Sequence, residues 1–302
     1  MGRAVAVALL FVSTAIWGLS FVFQKGAMEH MGPLTFAGAR YLIGATLVLP
    51  LGLLEYRRAV AAGTVVTGRQ WLRIGALCLA FFLGAWLQQA GLGSTTVTNG
   101  GFISALYVIF TPIAAYVLFR AKPHPVVLVG APLAMLGIYL LTGARLDHFV
   151  TGDLQILLCA VCWGVQVAVL GRLVVETRMP VFLSTIAFLA TGVLSSAGAA
   201  VIEAPQLDAV LAGWVPILYA AIGSTAIAFT LQAVAQRHVP PSNTAIIMSS
   251  EAVFAGLFGA WLLQERLPAP GYAGAGLILL AIVMVELVPR LAVRRARVEP
   301  AE

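Results

Sequence analysis

Residues 87–118 read LQQAGLGSTTVTNGGFISALYVIFTPIAAYVL, and residues 231–262 read LQAVAQRHVPPSNTAIIMSSEAVFAGLFGAWL. At an offset of 144, Leu87-Gln88 falls on Leu231-Gln232, Asn99 on Asn243, Ile103 on Ile247 and Leu118 on Leu262. The same offset pairs Lys122 with Arg266 and Gly130 with Gly274, and an offset of 146 lays Trp17-Gly18 on Trp163-Gly164. A single match between apolar stretches reflects composition. A near-constant offset across polar and apolar positions points to one unit present twice.

Working outward, each unit is a string of apolar runs. A bilayer core of about 30 Å needs about 20 helical residues. That yardstick predicts ten spans, over 4–24, 33–54, 72–91, 99–119, 126–143, 154–174, 180–202, 212–235, 244–263 and 271–288. The longest connection runs from Glu55 to Trp71. The two units then cover 1–147 and 148–302, five helices each. Five is odd, so the second unit enters the membrane upside down relative to the first. Inverted repeats of this kind place a binding site near the midplane between the halves. The expected fold is all-α, a polytopic membrane protein of ten transmembrane helices as two inverted five-helix repeats around a central cavity.

Composition agrees. The chain is 61% hydrophobic and 10% charged over 302 residues, against roughly 25% charged in water-soluble domains. The net charge of +6 sits in short gaps between apolar runs, which speaks for orientation in a bilayer rather than for nucleic acid. With the N-terminus inside, inner segments carry 14 Lys and Arg and outer segments carry 3, with Arg40 inside a span. That asymmetry predicts both termini in the cytoplasm. The N-terminal run continues to about Phe23 without a convincing cleavage site and reads as the first span. Cys78, Cys159 and Cys162 lie within apolar runs and suggest no disulfide framework. The CxxC spacing of Cys159 and Cys162 reads as small apolar filler, because a thiolate on a lipid-buried helix is costly.

Three stretches resemble the drug/metabolite transporter superfamily and its ten-helix EamA-type members. They are Ala15-Ile16-Trp17-Gly18, then Pro33-Leu34-Thr35-Phe36-Ala37-Gly38-Ala39-Arg40-Tyr41, and Ser250-Glu251-Ala252-Val253-Phe254 running to Leu263-Gln264-Glu265-Arg266. Their order and spacing carry the resemblance, which spans nearly the whole chain. It implies alternating exposure of a central cavity and export of small metabolites, amino acids above all, as in YddG-like exporters, or else of drugs or toxic metabolites. Family members often carry Glu-Pro where this chain has Glu251-Ala252, which leaves the ninth helix without one expected kink.

Polar groups inside a bilayer are expensive and face a cavity or another helix. Trp17 and Trp163 lie well inside equivalent helices and serve either as aromatic cavity walls or as packing between helices. Gln88 and Gln232 offer uncharged donors and acceptors to a zwitterion, or bond a neighbouring helix. Asn99 and Asn243 open helices behind Thr98 and Ser242; they cap those helices or help draw a carboxylate to free N–H groups. Tyr107 and Glu251 are twins at 144, each about eight residues into its helix, hence about 12 Å deep. Ser104 and Ser250 accompany them. Glu251 binds an amine, titrates during proton-coupled transport, or forms a structural pair with Arg40, whose depth differs by only about 8 Å in a 30 Å core. Lys25, Glu265 and Arg266, with Glu286 and Arg290 at i,i+4, read as interfacial. Gly130, Gly137, Gly271, Gly274 and Gly276 read as sites of close helix contact.

The expected partners are a small-molecule substrate and the lipid bilayer. No nucleic acid, cofactor, metal or ATP is called for, since no HExxH, GxSxG or phosphate-cradling loop is present. A membrane-embedded enzyme lacks a constellation to work with. Oligomeric state is not legible in the sequence.

Overall fold

The computed structural model describes residues 1–95, 97–143, 150–262 and 269–298. Ten helical passages follow in order: α1 Arg3–Ala27, α2 Pro33–Ala61, α3 Gly68–Ser94, α4 as Val97–Ser104 and Tyr107–Phe119, and α5 Pro125–Thr142. The second set is α6 Thr151–Thr177, α7 Pro180–Ile202, α8 Trp214–Ala235, α9 as Pro241–Met248 and Glu251–Leu262, and α10 Ala269–Val298. Nine passages are long and apolar enough to cross a bilayer; α9, in two segments, is the tenth. A short helix, Leu207–Ala212, precedes α8. Leu72, Val117, Val201 and Trp261 are exposed on the outer surface, as a chain solvated by lipid requires.

Local signals set the starts. Pro33, Pro125, Pro180 and Pro241 open α2, α5, α7 and α9, where the missing N–H would have no partner anyway. Thr67 and Gln70 form a capping box at α3: Thr67 Oγ1 accepts from Gln70 N and Gln70 Oε1 accepts from Thr67 N at 2.9 Å. The expected long connection Glu55–Trp71 is therefore mostly helix, since α2 runs on to Ala61 and α3 begins at Gly68.

Packing repeats the internal symmetry. Exchanging the halves turns α1 into α6, α2 into α7, α3 into α8, α4 into α9 and α5 into α10. The two self-paired contacts, α2 with α7 and α5 with α10, are among the most extensive in the molecule. The others come in mates: α3 on α6 with α8 on α1, α4 on α6 with α9 on α1, and α3 on α7 with α8 on α2. Between α5 and α10, Gly137 and Gly274 face each other so closely that a Cβ on either would run into the other's carbonyl. Gly130 meets Val285 in the same seam, whereas Gly276 faces open space and takes no part in it.

The α2–α7 pair is clamped at both ends by carboxylates. Glu203, just past α7, accepts from Leu34 N at 2.8 Å and from Thr35 N and Oγ1 at 2.7 Å. Glu55, on α2, accepts from Phe182 N at 2.8 Å. Each carboxylate covers orphan N–H groups at a helix N-terminus, where the dipole favours negative charge. An offset of 148 carries Leu34 to Phe182 and Glu55 to Glu203, so one repeated interaction closes both ends.

The face that carries the start of α1, here the N-terminal face, holds the ion pairs found among the described residues. Arg3 pairs with Glu286 at 2.8 Å, and Glu176 accepts from Arg73 at 2.8 Å and from Arg172. Glu286 thus reaches across the halves to Arg3. Lys25, expected to snorkel, donates at the far face to Leu92 O and Thr95 O, the carbonyls that end α3. Glu265, Arg266, Arg145 and His148 lie outside the described residues.

Candidate functional site

Both α4 and α9 break in mid-course, and at the same repeat position. The gap between Ser104 and Tyr107 becomes, at 144, the gap between Met248 and Glu251. The backbone bonds through the two breaks are also twins. Leu106 N donates to Ile103 O and Ser250 N to Ile247 O, each at 3.1 Å; Val108 N donates to Ala105 O at 3.0 Å and Ala252 N to Ser249 O at 3.2 Å. The helix tightens to three-residue bonds for one turn and then resumes. Ser249 and Ser250 also donate their hydroxyls to Ile246 O and Ile247 O, which competes with the regular ladder. The break in α9 therefore forms without the Glu-Pro pair.

Tyr107 and Glu251 open the second segments. Tyr107 Oη donates to Glu251 Oε1 at 3.4 Å, and both side chains are buried. A residue can touch its own twin only beside the axis that relates the halves, so this contact marks the centre of the molecule.

Around it lies a cavity of about 510 Å³, counted with its open side. Trp17, Trp163, Phe21 and Phe229 form its aromatic walls. Trp163 stacks on Phe229 with ring centroids 5.6 Å apart, and Trp17 meets the same ring at 4.7 Å. Both indoles are fixed by their N–H groups, Trp17 to Ser224 O at 3.2 Å and Trp163 to Gln88 Oε1 at 3.0 Å. These are again mates, α1 on α8 and α6 on α3. Ser224 lies in Tyr219–Phe229, a π-helical stretch of α8, whereas its mate α3 is a regular α-helix. Arg40, Gln24 and Gln88 carry the lining toward the far face. Arg40 donates to Gln24 Oε1 at 3.1 Å and to Tyr41 Oη at 2.9 Å, its guanidinium stands 4.5 Å from the Tyr41 ring, and its Nε is without a partner among the described residues.

A family profile described as the EamA-like transporter family matches residues 4–143 and again 150–287. The chain belongs to the EamA-like transporter family. It is 32% identical over 276 residues to an "Uncharacterized transporter" of Archaeoglobus fulgidus, covering 90% of this chain and 82% of that one. It is 26% identical over 288 residues to the "Uncharacterized inner membrane transporter YedA" of Escherichia coli K12, covering 92% and 89%. A solved crystal structure shares the fold with a TM-score of 0.77 at 19% identity, over 96% of this chain and 99% of that one. This protein is thus a multi-pass membrane transporter.

In this EamA-family fold Trp17, Arg40, Gln88, Ser104, Tyr107, Trp163 and Glu251 come together on the cavity. Arg40 and Glu251 do not pair with each other: Arg40 is held by Gln24 and Tyr41, and Glu251 by Tyr107. Four expected site residues lie off the lining. Asn243 does not cap, since α9 starts two residues earlier; its Nδ2 donates across to Val285 O on α10 at 2.9 Å. Asn99 is the third residue of its segment and is half-buried. Ser250 bonds Thr14 Oγ1 at 3.0 Å, and Gln232 faces Gln166 and Gln236. The lining also holds Phe21, Gln24, Gln166, Val167, Ser224, Phe229 and Met248, which the sequence reading passed over. Gln24 and Gln166 were legible as polar groups within apolar runs; the apolar members carry no such mark.

Proposed function

We propose that this protein is a secondary transporter that exports small zwitterionic metabolites, amino acids foremost, by alternating access through the central cavity. One observation carries the reading: Arg40 and Glu251 line the same cavity without pairing with each other. A charge within a bilayer calls for a partner, and a zwitterion supplies both at once, its carboxylate to Arg40 and its amine to Glu251. Trp17, Trp163 and Phe229 then offer ring faces to an apolar side chain, and those faces attract a cation as well. A second reading, export of apolar or cationic toxic compounds, draws on the aromatic walls alone and leaves Arg40 without a role.

The membrane in this reading is a bacterial-type inner membrane with both termini cytoplasmic, as the Lys and Arg distribution indicates. The N-terminal face, bound by its cross-half ion pairs, is then the cytoplasmic side, and the conformer described here has its site displaced outward.

Purified protein in liposomes loaded with a panel of radiolabelled amino acids tests the reading. Protein-dependent efflux that unlabelled zwitterion competes away is the expected result. Flux of hydrophobic cations alone supports the second reading, and no flux across a broad metabolite panel overturns both.

A further inference from the structure

Gln88 and Gln232 are twins in opposite surroundings. Gln88 borders the central cavity, whereas Gln232 is 0% exposed and its Oε1 accepts no hydrogen bond among the described residues. Gln232 Nε2 reaches Gln166 Oε1 at 3.5 Å and Gln236 Oε1 at 3.4 Å. Gln166 lines the cavity at one end. Gln236 is buried beside exposed Arg237 at the other, with its Nε2 on Val167 O at 2.9 Å. Three buried amides thus run in file between α6 and α8, from the site toward the N-terminal face.

A buried amide acceptor left without a donor is unfavourable in a permanently packed interface, and natural in a lining that is wet in another conformer. A narrow void shares Gln166 and Phe229 with the central cavity. Phe81 lines it, with ring centroids 4.8 Å from Phe229 and 5.6 Å from Phe188. Beyond the rings, Glu176 holds Arg73 and Arg172 together across the halves. Exchange of the halves maps the α1–α3 side, lined by Gln88, onto the α6–α8 side, where Gln232 is shut in.

We infer that Gln166, Gln232 and Gln236 line a second path for polar, zwitterionic solutes, closed here, which joins the central site to the N-terminal face when the Phe81–Phe229 plug and the Arg73–Glu176 bridge part. It rests on the reading of the chain as an alternating-access transporter. The uncharged amides offer donors and acceptors in turn to a solute's carboxylate and amine without trapping either.

Thiol labelling of the full-length protein in liposomes tests this without any cargo. In a background with Cys78, Cys159 and Cys162 replaced by Ala, Gln232→Cys and Gln236→Cys are introduced one at a time and exposed from the N-terminal face to a membrane-impermeant methanethiosulfonate. Adding Glu176→Gln raises the labelling rate of both about tenfold, as a minor conformer of about 10% becomes the main one. Labelling of Gln88→Cys from the far face falls in the same background. The inference is overturned if neither Gln232→Cys nor Gln236→Cys labels faster with Glu176→Gln. It is also overturned if Ala168→Cys, buried between α4 and α6, rises alongside, because the protein has then loosened as a whole. Flux in liposomes is a separate measurement: absent flux with path labelling intact removes the transport reading only.

Discussion

Arg40 is the residue on which the proposed chemistry turns. Buried, with Tyr41 and Gln24 on its terminal nitrogens and Nε unpartnered, it uses two of its five N–H groups in these bonds and keeps Nε–H for a solute. A hydrogen bond to a charged group contributes about 1.5–3 kcal/mol, so Arg40→Ala weakens zwitterion binding by roughly 10–150-fold, at 1.4 kcal/mol per tenfold. The matching amine without a carboxylate binds as before; calorimetry on both ligands makes the comparison. At the other pole, a coupling role for Glu251 predicts that Glu251→Gln removes any dependence of flux on an imposed pH gradient while leaving zwitterion binding measurable. Unchanged dependence in a folded variant takes proton coupling away from Glu251. The paired position of Tyr107 and Glu251 was legible at the 144-residue offset. Their contact was not, because spacing along a chain says nothing about which twins reach the axis. The Arg40–Glu251 pair expected from depth failed for a related reason: depth fixes height in the bilayer but not the side of a cavity on which a residue stands.

The α2–α7 clamp is the most testable feature among the elements. Glu203 accepts three hydrogen bonds at the start of α2, and Glu55 is given one by Phe182 N. Capping contributions of about 0.5–2 kcal/mol lead us to expect Glu203→Ala to lower the thermal unfolding midpoint in detergent more than Glu55→Ala does. An equal or reversed order would count against reciprocal capping. Gly137→Leu meets Gly274 O and the backbone of Ile278; it should prevent the α5–α10 seam from closing and yield aggregated protein on size exclusion, whereas Gly276→Leu, which meets open space, remains monodisperse. The glycines of that seam were visible in the sequence as a cluster. Which of them touch depended on helix rotation, which hydropathy leaves undefined.

At the scale of the whole molecule, the two halves are joined across the N-terminal face by Arg3–Glu286 and Arg73–Glu176, and at the centre by Tyr107–Glu251. The orientation we propose from the basic residues would place that face in the cytoplasm. A C-terminal fluorescent-protein fusion should therefore be bright in cells and a C-terminal alkaline phosphatase fusion inactive. The opposite pattern would invert the transport direction inferred from the closed face.

The sequence by itself determined the number of passages, the twofold repetition and the membrane as solvent, because each follows from the order of apolar and polar residues along one dimension. It also marked most of the polar lining, since an intramembrane polar group is costly wherever it lies. The tertiary structure alone decided which polar residues face the cavity and which bond a neighbouring helix. Gln88 and Gln232 show why: equal in sequence and in repeat position, they differ because the packing of the halves exposes one to the cavity and buries the other. That difference is a property of contacts between helices and not of any single one.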